Sequence, residues 1–159
     1  MKKYAHEIKW GVIFTVVSLL WMVLEKMFGW HDELISKHPI YTNIFAILAI
    51  AIFVFALLEK RKKLGGFMTW KEGFVSGLII SVVAMILTPL SQVITHKVIS
   101  PSYFPNAIQY SVESGNATQA EAEAFFTLPS YMMQSALGAI IMGAVTAAIV
   151  ALILQRKKK

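Results

Sequence analysis

Apolar residues in this chain fall into four long blocks, at 8–30, 40–58, 73–95 and 131–154, separated by shorter polar stretches. Within a block they run almost unbroken, with neither the two-residue alternation of a strand nor the spacing of a half-buried helix. A helix rising 1.5 Å per residue needs about 20 residues to cross a hydrocarbon layer about 30 Å thick. Each block has roughly that length, and a helix satisfies its own backbone hydrogen bonds in lipid. The pattern therefore predicts an all-α polytopic membrane protein, a four-transmembrane-helix bundle forming a single membrane domain over 1–159.

Lipid tails are as apolar as leucine, so such helices are held together by small residues that let backbones approach. The fourth block carries Ser135, Ala139, Gly143, Ala147 and Ala151 at four-residue intervals, one stripe of a helix. That stripe should face protein, leaving Ile140, Ile141, Ile149, Ile153 and Leu154 largely toward lipid or the rim. Gly73, Gly77 and Ser81 repeat the device in the third block, which predicts that the third and fourth helices are the closest-packed neighbours. In the first block Gly11, Thr15, Ser18, Met22 and Glu25 share one face at heptad spacing.

The connection at 31–39 is short, so the first two helices should be antiparallel neighbours. The connection at 98–130 is the sizeable one. It opens on a proline-punctuated turn region, Ser100 to Pro105, and then offers a short extra helix. Thr118 and Glu121 have the spacing of a capping box, with Ala120, Ala124, Phe125 and Leu128 as an apolar face, Glu121 and Glu123 toward water, and Pro129 as a stop. Tyr103, Phe104, Tyr110, Phe125 and Phe126 would suit a lid at the membrane interface or a docking surface for another membrane protein.

Composition agrees with the pattern: 57% of residues are hydrophobic and 15% charged, against about 25% charged in soluble domains. The charge is one-sided. Of the lysines and arginines, all but Lys26, Lys37 and Lys97 lie at the two ends or between the second and third blocks. Short basic segments stay in the cytoplasm, so both termini are expected there. No small-residue cleavage site follows the first block, where Leu24 to His31 stand, so that helix is expected to be retained. The run Lys60, Arg61, Lys62, Lys63 reads as an anchor against anionic lipid, and no motif or stacking platform accompanies it for nucleic acid. The chain has no cysteine, which removes disulfides, thiol catalysis and thiolate metal sites. Asn116-Ala117-Thr118 matches a glycosylation sequon without any other secretory mark.

Candidate chemistry is sparse. Glu25 is a carboxylate within a span, roughly 7–8 Å below the interfacial Trp30, with His96 or Lys97 as a partner across the bundle and Lys26 snorkelling outward. Pro89 kinks the third helix, and Gln92 follows it on a polar half that ends at His96. His31, Asp32, Glu33 and His38, with His96 and Glu25 expected at a similar height, could bind zinc or another divalent ion, but the spacing matches no ligand motif and so exposed a loop should simply be hydrated. No catalytic, cofactor or metal residue is therefore assigned. The residues singled out are Glu25, Pro89, Gln92, Gly73, Gly77 and Gly143 for function or packing, and the five aromatics of 103–126 for a partner surface.

Several stretches resemble one family: Glu7-Ile8-Lys9-Trp10-Gly11, Leu24-Glu25 with His31-Asp32, Tyr41-Thr42-Asn43, Met68 to Phe74, Pro101 with Tyr103-Phe104, and 118–126. Over essentially its whole length the chain resembles the domain of unknown function 4199 family of bacterial, Bacteroidetes-type membrane proteins. The resemblance implies an inner-membrane protein of a diderm bacterium and carries no activity. The leading expectation is a non-enzymatic accessory subunit whose partners are the lipid bilayer and other membrane proteins or copies of itself, with no nucleic acid. A small transporter or channel subunit using Glu25 and the Pro89 kink is the alternative. An intramembrane enzyme is disfavoured, because no nucleophile with a positioned base, ligand helix or phosphate loop is present.

Overall fold

A computed structural model describes residues 4–157; Lys2, Lys3, Lys158 and Lys159, used above in the charge argument, lie outside them. The described residues are helical with no strand, and Met68 and Arg156 form an isolated antiparallel bridge. Four helical segments are long and apolar enough to cross a membrane: Ala5–Met27, Ile35–Lys63, Trp70–Ile99 and Leu128–Leu154. The first stops at Met27, short of the expected 30, for a local reason. Gly29 takes a φ of 75°, and its N–H and that of Trp30 donate to the carbonyls of Lys26 and Glu25. This left-handed glycine cap closes the helix. Gly65, at φ 80°, closes the second long helix in the same way onto Lys62 and Arg61.

The residues divide into two compact units, each drawn from the same helices. The first comprises 4–15, Ala46–Leu87 and 135–157. Its core joins Phe53, Ala56, Leu57, Met68, Ile80, Ala147, Val150 and Ala151, with Trp10, Phe14 and Phe74 packed against it, so segments of all four spans contribute. The third and fourth spans meet through the small residues. A Cβ added at Gly73 would lie 2.9 Å from the Ala151 Cβ, one at Gly77 would press on Ala147, and one at Gly143 would press on Ser81. The register 73 to 151, 77 to 147 and 81 to 143 is that of antiparallel helices in backbone-close contact. Ile141, Ile149 and Ile153 face outward, whereas Leu154 packs on the core.

The basic run is bound into this unit instead of lying free. Lys60 donates to Glu7 Oε1 at 2.7 Å, Ser76 Oγ donates to the same oxygen at 2.8 Å, and Arg61 donates to the Leu154 carbonyl at 3.0 Å. Glu59 gathers Lys9, Trp10 and Lys63 at 2.6, 2.9 and 3.0 Å. These ties fasten the start of the first span and the end of the fourth to the end of the second. A lipid anchor was expected of the run; Lys62 is its member outside these bonds.

The second unit comprises Val16–Phe45 and Thr88–Gln134. Residues 28–34 turn back, and short helical turns, Ile35–Lys37, His38–Tyr41 and Thr42–Ile44, lead into the second long helix. The third span passes through Pro89 and ends in a wide π turn, Thr95–Ile99. The expected turn region is shorter than its prolines indicated: a helix, Tyr103–Glu113, starts at once, with Pro105 in its first turn, where a missing N–H costs nothing. The helix Gln119–Phe125 has the full capping box between Thr118 and Glu121. Its buried face differs from expectation. Ala122 is the buried residue, Ala120, Ala124 and Phe125 are exposed, and Pro129 lies in the first turn of the fourth span instead of ending this helix.

Candidate functional site

Glu25 is the centre of the second unit's polar core, and its side chain has no exposed surface. Trp21, one turn earlier on the same face, donates its indole N–H to Oε1 at 2.6 Å. The Gly29 cap reverses the chain and returns His31, whose Nε2 lies 3.1 Å from Oε2. His38 opens the helical turn that Pro39 initiates, and its Nε2 lies 3.4 Å from the same Oε2. The Thr42 hydroxyl, one turn on, is a further partner of the carboxylate. One carboxylate oxygen is thus held by an indole, and the other is faced by two imidazoles.

A second layer fixes these groups. The Tyr103 hydroxyl lies 3.4 Å from His38 Nδ1 and 3.1 Å from the Tyr131 hydroxyl. The rings of His31, His38 and Tyr103 meet edge to face at 5.1–5.2 Å. Burial, reinforced by the neighbouring Tyr131, raises the Tyr103 phenol well above its usual pKa, so it remains a hydroxyl at neutral pH. Asn106 donates to the His31 carbonyl at 2.9 Å and to Asp32 Oδ1 at 3.1 Å, while Lys26 pairs with Asp32. His31 Nδ1 is buried without a hydrogen-bond partner. On the far side of Tyr103, His96 stacks on Phe104 at 4.1 Å and its Nε2 meets Gln92 Oε1 at 3.1 Å. Beside the site lies an open groove of about 520 Å³ lined in part by Asp32, Glu33, Tyr110 and Glu113.

This geometry revises the sequence reading at several residues. The partners of Glu25 are His31 and His38, and Lys97 is exposed. The connection expected to be hydrated instead buries His31 to 1% exposure, because the glycine cap folds it back. Tyr103, expected on a partner surface, is 5% exposed and belongs to the site. Phe104 lies against His96, Tyr110 lines the groove, and Phe126 is half-buried, whereas Phe125 is exposed. Gln92 touches the site through His96, and Pro89 faces outward. Gly73, Gly77 and Gly143 serve packing in the first unit. Trp21, Thr42, Asn106 and Tyr131 were missed. Only Trp21 carried a signal, its four-residue spacing to Glu25.

Chemically, the centre offers one carboxylate oxygen and two imidazole nitrogens, and ligand atoms of Glu25, His31 and His38 all lie within 4.8 Å of one another. Such a set can share a proton or hold a cation. No curated protein and no solved structure matches the chain. The family model for proteins of unknown function DUF4199 matches residues 9–156. Nearly the whole chain is covered, including every residue of the buried centre, and the protein belongs to that family.

Proposed function

We propose that this multi-pass protein resides in a bacterial inner membrane with both termini in the cytoplasm, and that it acts as a non-enzymatic accessory subunit of a larger membrane complex. The observation that carries the reading is the near-closure of the polar centre: Glu25 and His31 are sealed, His38 is partly exposed at its edge, and the hydrogen bonds of the carboxylate run to other side chains of the same unit. Turnover and passage both need a route for substrate to the reacting group. A sealed centre supports a holding role, in which it rigidifies the surrounding turns and the helices Tyr103–Glu113 and Gln119–Phe125. Those helices then present a fixed, acidic outer surface with Glu113, Glu121 and Glu123 exposed. Pro89 facing away from the centre weighs against the transporter reading.

The test is capture of the tagged, full-length protein from its native host, followed by cross-linking mass spectrometry. A stoichiometric membrane partner joined through the exposed Lys37 or Lys97 is the expected result. Recovery of the protein alone, under cross-linking in intact cells as well as after extraction, would sink the accessory reading.

A further inference from the structure

We infer that Glu25, His31 and His38 form a binding site for a zinc-class divalent transition metal ion. The inference goes beyond the accessory role and does not depend on it. An ion about 2.0–2.2 Å from each of two ligand atoms, at angles between octahedral and tetrahedral, sets those atoms about 2.9–3.6 Å apart. The two imidazole nitrogens lie 3.1 and 3.4 Å from Glu25 Oε2, both inside that window. The ligand atoms of all three residues lie within 4.8 Å of one another, and closing the site around an ion requires the two rings, now edge to face with centroids 5.2 Å apart, to lean toward each other.

The donor set selects the ion. Two imidazoles and one carboxylate suit zinc, cobalt, iron, nickel or copper, whereas calcium and magnesium call for oxygen ligands. Three protein ligands leave a further coordination position open. Surrounding groups fix Glu25 and His38 as a metal site needs, whereas the second nitrogen of His31 is buried without a partner. Trp21 occupies Oε1 at 2.6 Å, which leaves Oε2 as the monodentate ligand. Tyr103 meets the second nitrogen of His38, the role that outer partners of metal-bound histidines play in fixing ring orientation. Asn106 pins the backbone of His31. Charge is compatible with this: a sealed carboxylate requires a compensating cation, and among the described residues the groups placed to supply it are His31 and His38, as protonated imidazoles or as ligands of an ion.

The experiment is titration of the folded, full-length protein in detergent with Co²⁺, a spectroscopic stand-in for zinc. The wild-type protein should take up one ion per chain with visible d–d bands, and Zn²⁺ should displace it while millimolar Mg²⁺ and Ca²⁺ should not. His38→Ala, at the more exposed ligand, should abolish the bands with the far-ultraviolet circular dichroism unchanged. Tyr103→Phe should keep the bands and weaken binding about 10-fold. Absence of bands and of bound zinc in the folded wild-type protein overturns the proposal, as does displacement by Ca²⁺ or Mg²⁺, or full binding by folded His38→Ala. If His38→Ala fails to fold, the wild-type titration decides alone.

Discussion

Two buried carboxylates face different partners, and the contrast says what each residue does. Glu7, 1% exposed, has a lysine, Lys60, at 2.7 Å and a serine, Ser76, at 2.8 Å. Its pairing through Oε1 links three spans to a cationic lysine, which marks it as a fastening. Removing one partner of a buried ion pair strands the other charge, so Lys60→Met should destabilise the protein by about 3 kcal/mol. Ser76→Ala removes a neutral donor and should cost about 1 kcal/mol. The double variant Glu7→Gln with Lys60→Met should recover much of the loss, because no unpaired charge remains. Thermal unfolding of the detergent-solubilised variants measures all three; a Lys60→Met protein as stable as the parent would refute the fastening. Glu25 was legible in the sequence as a polar residue on the packing face of the first helix. Its partners were not, because they reach it only through the reversal at Gly29, and spacing along the chain cannot show which way a nine-residue connection folds.

At the level of elements, the sequence was most informative where a single physical rule governs. The four-residue ladder of Ser135 to Ala151 implied a close helix contact, and Gly143, Ala147 and Ala151 do meet Ser81, Gly77 and Gly73. The capping box at Thr118 and Glu121 is present with both of its hydrogen bonds. It was least informative where several rules compete: the prolines at 101 and 105 read as turn residues, yet a proline in a helix's first turn is tolerated, and the helix Tyr103–Glu113 follows from that. The glycine contacts separate cleanly by position. At Gly77 a side chain would be forced into Ala147, while nothing lies within 4 Å of a Cβ at Gly138. Gly77→Val should therefore lower stability by about 1–3 kcal/mol or more through overpacking, and Gly138→Ala should leave it unchanged or raise it slightly. Equal unfolding temperatures for the two variants would contradict the register of the third and fourth spans.

For the molecule as a whole, the bilayer made the fold readable. A segment that must bury about 30 Å of backbone in hydrocarbon has to declare itself by length and apolarity, and all four spans did. Orientation rests on a separate argument, the placement of lysine and arginine, and the structure adds a physical complication to it. Lys60, Arg61 and Lys63, which weigh heavily in that ledger, are engaged by Glu7, the Leu154 carbonyl and Glu59. During insertion, however, the helices have not yet packed, and the charges act before these bonds form. The positive-inside bias should then hold, with Lys62 on the cytoplasmic side and Glu123 on the other. Because the chain has no cysteine, single substitutions report this without background. On the proposed inner-membrane placement, Lys62→Cys should react with a membrane-impermeant maleimide only after that membrane is opened, and Glu123→Cys should react in intact spheroplasts. The reverse pattern would invert the topology and would place the Glu25, His31 and His38 centre in the half of the membrane open to the cytoplasmic metal pool.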